Sequence, residues 1–154
     1  MSDFNFNWKG KRVLITGHTG FKGTWLCLWM QLLSVQVHGY ARVPPTRPNL
    51  HELTGAAADM ESIIGDIRDL DLLQATFDRV QPEIVFHLAA QPIVQIAYED
   101  PVETFSTNMM GTVNVLECAR RTPSVRSVVV VTSDKCYTNH EWHWAYREKS
   151  QLGG

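Results

Sequence analysis

The stretch Thr16-Gly17-His18-Thr19-Gly20-Phe21-Lys22-Gly23 decides the fold class of this 154-residue chain. Just before it, Lys11 to Gly17 (KRVLITG) is a short β-branched run ending in a glycine turn, as a buried strand does. Just after it, Trp25, Leu28, Trp29 and Leu32 fall at i, i+3, i+4 and i+7, on one face of a helix over roughly residues 21–33. Glycines at this spacing between a strand and a helix make a tight turn in which backbone N–H groups and the helix amino terminus receive a pyrophosphate. Glycine can also do no more than relieve strain in a loop. The strand-turn-helix context, followed by a second strand at the right distance, favours dinucleotide binding.

Outward from this point the chain alternates strand-like and helix-like segments, with no internal repeat. Val35 to Ala41 is a second strand, followed by a loop broken by Pro44, Pro45 and Pro48. Ser62 to Gly65 is a shorter third strand. Asp69 can cap a helix in which Leu70, Leu73, Phe77 and Val80 repeat at helical spacing. Ile84 to Ala90 (IVFHLAA) is apolar without alternation, as expected when helices cover both faces of a parallel sheet. Beyond Pro101 a helix carries Val102, Phe105, Met109, Val113 and Leu116 on one side, and Val125 to Thr132 is the fifth strand. Parallel neighbours need crossover connections, and right-handed ones dominate, so a doubly wound parallel α/β sheet is predicted.

Composition bounds the function. With 44% hydrophobic and 19% charged residues the chain can bury a core as one domain. A net charge of -2, without a basic run, predicts no nucleic-acid or membrane-surface partner. Cys27, Cys118 and Cys136 are widely separated and form no CxxC pair, which argues against a disulfide framework or zinc site and for a reducing, cytoplasmic setting. The longest apolar run, Trp25 to Met30, is far short of the ~20 residues that span a bilayer, and the amino terminus lacks the regions of a secretory signal. His140 and His143 stand at i, i+3 rather than the i, i+4 of a zinc HExxH motif, so no metal is predicted. The aromatic cluster Trp142, Trp144, Tyr146 lacks a basic surround and reads as packing or a substrate-side lid.

Several further positions gather at the carboxyl edge of the sheet, where ligands of such folds bind. The acidic residue expected about 20 residues on, at the end of the second strand, is absent: the sequence there is Val37-His38-Gly39-Tyr40-Ala41-Arg42. Arg42 can receive a 2'-phosphate, favouring NADP, or be a solvated loop residue. Asp66 can accept from an adenine amino group with Ile67 packing on the ring, or cap the following helix. The small residues of Leu88-Ala89-Ala90-Gln91 admit a cofactor backbone-close, or form a packing seam. Asn108 interrupts an apolar helix, and Gly111 in the same helix costs about 1 kcal/mol against alanine, which points to close packing or a functional constraint. Thr132-Ser133-Asp134-Lys135-Cys136-Tyr137 sets a hydroxyl, an acid and an amine side by side, suited to proton transfer or to a salt-bridged loop.

Taken together these motifs resemble the nucleotide-sugar branch of the extended short-chain dehydrogenase/reductase superfamily. TGHTGFKGTWL (16–26), GDIRD (65–69), PEIVFHLAAQP (82–92), PVETFSTNMMGTVNVLE (101–117), TSDKCY (132–137) and EWHWAYRE (141–148) are similar to the CDP-glucose 4,6-dehydratase family within it. Asp134-Lys135 is the most specific element, since related dTDP- and GDP-sugar dehydratases carry Asp-Glu there.

The resemblance implies a Rossmann-like sheet, truncated after about five strands, with residues 1–135 forming an incomplete NAD-binding domain and 136–154 the start of an active-site, substrate-side segment. It implies that Gly17, Gly20 and Gly23 hold the NAD pyrophosphate, with Phe21 among the cofactor-binding positions, and that Asp66 and Ile67 contact adenine. Ala89, Ala90 and Gln91 would line the cleft, with Asn108 beside it. Ser133 would match the catalytic serine or threonine, Asp134 the acid that protonates the departing C6 hydroxyl, and Lys135 the residue in the base's place at C5. The implied substrate is CDP-glucose, the cofactor NAD and the assembly a homo-oligomer. The superfamily's Tyr-x-x-x-Lys pair has no match: Tyr137 is followed four residues on by Glu141 and Tyr146 by Ser150. The chain therefore reads as the amino-terminal portion of a longer dehydratase, inactive alone. The alternatives are an inactive dinucleotide-binding module or another dehydratase or epimerase of the same superfamily.

Overall fold

The computed structural model describes residues 7–133 and 135–153. Strands β1 (Arg12–Thr16), β2 (Gln36–Ala41), β3 (Glu61–Ile64), β4 (Ile84–His87) and β5 (Ser127–Val130) form one sheet of parallel pairs in the order β3-β2-β1-β4-β5. The crossovers contain α1 (Phe21–Leu32), α2 (Leu50–Thr54), α3 (Leu70–Val80), α4 (Val94–Glu99), α5 (Pro101–Phe105) and α6 (Gly111–Arg121). The chain steps outward from β1 to β3, then returns to lay β4 and β5 on the other side of β1. The order thus reverses between β1 and β4, and that reversal opens the crevice in which such sheets bind ligands.

Successive residues of β1 point to opposite faces, and both faces are covered, so the strand is apolar throughout. Val13 and Ile15 pack with Cys27 and Met30 of α1. Leu14 packs with Leu73 and Phe77 of α3 and Val115 and Cys118 of α6. Leu73 and Phe77 are fully buried, each contributing about 1.5–3 kcal/mol relative to exposure. Asp69 caps α3 as the sequence predicts, its carboxylate accepting from the Leu72 N–H at 3.0 Å.

The structure differs from the sequence reading in three places. The tryptophan-leucine face of α1 does not meet the sheet: Trp25, Trp29 and Leu32 are exposed, and the buried residues are Gly23, Thr24, Cys27 and Met30. The small side chains let α1 sit close under the glycine turn, and the bulky ones are left outside. The helix after Pro101 is α5 and α6 joined through a π-helical turn at Ser106–Met110, and its Val102, Phe105, Met109, Val113 and Leu116 all face outward while Gly111, Val115, Cys118 and Ala119 are buried. The proline-rich loop contains α2, capped by Asn49, whose side chain accepts from Glu52 N at 2.9 Å, and ended by Gly55 in the left-handed region. Among the described residues no helix is long and apolar enough to cross a membrane.

Candidate functional site

The glycine turn lies at the carboxyl end of β1, against the segment that leaves β4. Gly17 has φ +75°, and a Cβ there would stand 2.7 Å from the Ala89 backbone nitrogen, so only glycine lets the β1 and β4 loops meet at the switch point. A Cβ on Gly23 would drive into the Gly17 carbonyl, which ties the first turn of α1 to the loop. Gly20 is the N-cap of α1 and no side chain caps it, so the first N–H groups of this 12-residue helix, at the carboxyl end of β1, are left without a side-chain acceptor. Phe21 opens that helix and is exposed. These are the three roles that a pyrophosphate-binding turn asks of its glycines, and the residues present fit such a ligand.

The segment after β4 is held rigidly. Thr16 Oγ1 accepts from the N–H groups of Leu88 and Ala89, both at 3.2 Å. Asn108, in the π-helical turn, donates to the Gln91 carbonyl at 2.9 Å and accepts from the Gln91 N–H at 2.8 Å. The Gln91 side chain donates to Thr104 Oγ1 at 2.9 Å and receives the Ile93 N–H at 2.7 Å. Asn108 thus interrupts an apolar helix in order to clamp the loop that carries Ala89, Ala90 and Gln91. A backbone group clamped on both its donor and acceptor cannot swing, and the crevice wall is preorganised.

Beneath this loop runs a buried line of hydrogen bonds that the sequence reading did not find. Thr112 Oγ1 donates to the Asn108 carbonyl at 2.7 Å, so its oxygen accepts from His87 Nε2 at 3.0 Å. His87 Nδ1 then accepts the proton of Thr16 Oγ1 at 2.6 Å. Every donor and acceptor in the line is matched, which fixes His87 as the neutral Nε2–H tautomer, and burial pushes its pKa down to about 4. The legible signal was a polar residue, Thr16 or His87, inside each of two otherwise apolar strands. On the opposite side of the turn, His18 is fully buried, bonds Ser62 Oγ at 2.7 Å, and is held at a pKa of about 4 by desolvation and the neighbouring His51.

Asp66 and Ile67 lie between β3 and α3. Ile67 is buried and its side chain fills the space over Gly111, so the glycine in α6 serves close packing. Its side chain is therefore part of the core rather than a surface for an adenine ring. Asp66 is paired with Arg68, through Nε to Oδ1 at 3.0 Å and Nη2 to Oδ2 at 2.6 Å, and these bonds hold its carboxyl below the usual range. Arg68 also pairs with Glu103 of α5, as does Arg42 at 2.9 Å. Arg42 is accordingly an exposed loop residue whose charge is paired rather than free. Ser133 and Lys135 follow β5 at the same edge of the sheet; both are exposed, and Ser133 Oγ accepts from the Lys135 N–H at 3.1 Å. Asp134 lies outside the described residues.

A five-stranded parallel sheet of this order, with a glycine turn and an uncapped helix at its switch point, defines a Rossmann-like dinucleotide-binding fold. The chain belongs to the GDP-mannose 4,6 dehydratase family, whose model matches residues 14–152. It is 53% identical over all 154 residues to a CDP-glucose 4,6-dehydratase of Salmonella typhimurium, of which it covers 43%. A GDP-mannose 4,6-dehydratase of Vibrio cholerae is 33% identical over 71% of the chain and 31% of the relative. The chain thus spans less than half the length of these relatives. Among solved structures, the UDP-glucose 4-epimerase of Thermus thermophilus in complex with NAD superposes with a TM-score of 0.79, at 26% identity over 92% of this chain and 44% of that one. The corresponding epimerase of Stenotrophomonas maltophila gives 0.81 over 93% of this chain and 43% of that one at 23% identity, a likeness of fold.

Proposed function

We propose that this chain is the NAD-binding part of a CDP-glucose 4,6-dehydratase, which converts CDP-D-glucose to CDP-4-keto-6-deoxy-D-glucose with loss of water. The observation that carries the reading is the 53% identity to a dehydratase of that specificity along the entire chain. The turn geometry supports the cofactor: Gly17, Gly20, Phe21 and Gly23 would receive the pyrophosphate, Asp66 and the Ile67 backbone would face adenine, and Ala89, Ala90, Gln91 and Asn108 would line the cleft. NAD held by these residues would supply a hydride acceptor and donor that ends as it began, so that the net reaction would be that of a lyase. Ser133 holds the C4 hydroxyl, Asp134 gives a proton to the departing C6 hydroxyl, and Lys135 stands at C5, whose proton the C4 ketone acidifies. Residues 1–135 are the cofactor domain, and 136–154 begin the substrate side. The outward apolar side of α5 and α6 supports a homo-oligomer, and three free cysteines, Cys136 exposed, support a reducing cytoplasm.

In the full-length enzyme, Asp134→Asn is expected to slow elimination more than C4 oxidation, read as accumulation of the unreleased 4-keto hexose stage in single turnover. Equal loss of both steps would remove Asp134 from the role of acid.

A further inference from the structure

We propose that Glu103 of α5 supplies the carboxylate for the adenosine ribose of the dinucleotide, in place of the acid missing from the end of β2, and thereby sets a preference for NAD over NADP. The proposal rests on the NAD reading above. Arg42 directly follows β2, and its carbonyl accepts from Thr19 Oγ1 of the glycine turn at 2.9 Å. It therefore stands beside the amino terminus of α1, at the position where this fold places its ribose-binding acid. A lone arginine there would attract a 2'-phosphate.

Arg42 is not alone. Its Nη1 donates to Glu103 Oε1 at 2.9 Å, and its Nε lies 3.9 Å from Asp66 Oδ2. Arg68 closes the circuit, binding both oxygens of Asp66 and the other oxygen of Glu103. Two guanidinium groups and two carboxylates make a ring of zero net charge that links the ends of β2 and β3 to α5. Asp66 is committed to its place: besides two bonds from the Arg68 side chain it accepts the Arg68 backbone N–H at 2.9 Å. Glu103 has only side-chain partners at its carboxylate, and the Arg42 side chain it holds is 63% exposed, so this is the side of the ring a ligand meets.

A ribose 2'-hydroxyl both donates and accepts one hydrogen bond, and Glu103 with Arg42 offers one partner of each kind. A 2'-phosphate donates nothing to Glu103 and brings about -1.5 to -2 charge against two carboxylates. It can engage Arg42 only by separating it from Glu103. The sequence window for the acid, fixed along β2, misses Glu103 because the carboxylate arrives from a helix 61 residues further on.

The test is titration of the purified protein with NAD and with NADP, read by quenching of its five tryptophans and by calorimetry. The unaltered protein is expected to bind NAD at least about tenfold more tightly than NADP, a difference of about 1.4 kcal/mol. Glu103→Gln is expected to shrink that ratio at least tenfold, mainly by tightening NADP. Adding Arg42→Ala to Glu103→Gln is expected to abolish the gain, because the gain comes from the released guanidinium. Glu103→Ser, read in the same way, replaces the glutamine variant if that one does not fold. An unchanged NAD to NADP ratio in the Glu103 variants, or a native preference for NADP, overturns the proposal while leaving dinucleotide binding in place. Binding of neither dinucleotide by the unaltered protein overturns the NAD reading itself.

Discussion

Gly23 shows how a single hydrogen atom positions the candidate site. In an ordinary helix interior, glycine to alanine gains about 1 kcal/mol. Here the added methyl would collide with the Gly17 carbonyl, and backbone cannot rotate away as a side chain can. Gly23→Ala is therefore expected to lower stability by about 1–3 kcal/mol instead of raising it, and to weaken NAD binding at least tenfold. Urea unfolding together with an NAD titration checks both, and a stabilised variant would contradict the contact. His18 and His87 make a second prediction. Burial lowers each from 6.5 to about 4, so between those values the unfolded chain takes up protons that the folded chain refuses. Their contribution is complete above pH 6.5 and is lost as pH falls toward 4, by up to about 3 kcal/mol for each histidine. The unfolding midpoint should drop steeply between pH 6.5 and about 4.5, and His87→Gln should flatten part of that slope.

At the scale of elements, β5 is the edge strand beside β4, and its far side has no strand partner among the described residues. Val129 and Val131 are 42% and 45% exposed on or just after it. An apolar strand with free N–H and C=O groups is a template for pairing with another chain. The 154-residue chain is expected to aggregate at micromolar concentration, and Val129→Lys to slow this, as measured by light scattering. A monodisperse, cooperatively melting monomer would refute it. The same scale explains why two helical stripes predicted from spacing turn their apolar side outward. Hydrophobic spacing reports that a helix has an apolar side, and α1 and α5–α6 each have one. Which side meets the sheet was decided by small residues, Gly23 and Cys27 in α1 and Gly111, Cys118 and Ala119 in α6, because only they let the helix axis come close.

At the scale of the whole molecule, the sheet offers a switch point, while the residues after β5 proposed for proton transfer stand without a Tyr-x-x-x-Lys pair in these 154 residues. The 154 residues on their own are expected to bind NAD and to leave CDP-glucose unconverted, since no group in them matches the base that takes the C4 hydroxyl proton. Formation of a 4-keto product by this chain, followed by absorbance in alkali, would overturn that expectation.

The sequence by itself determined the parallel α/β architecture, the glycine turn and the cap of α3. Each of these is a local matter: strand runs buried on both faces are apolar, turns of that shape need glycine, and a helix start needs an acceptor within three residues. The tertiary structure alone decided the Thr16–His87–Thr112 line, the Asn108 clamp on Gln91 and the ring joining Arg42, Asp66, Arg68 and Glu103. These join residues 17 to 71 positions apart, outside the Asp66–Arg68 pair, across a crevice that exists only once the strand order has reversed between β1 and β4. Hydrogen bonds and ion pairs act over a few ångströms, so their partners are set by where the fold brings side chains together and not by spacing along the chain.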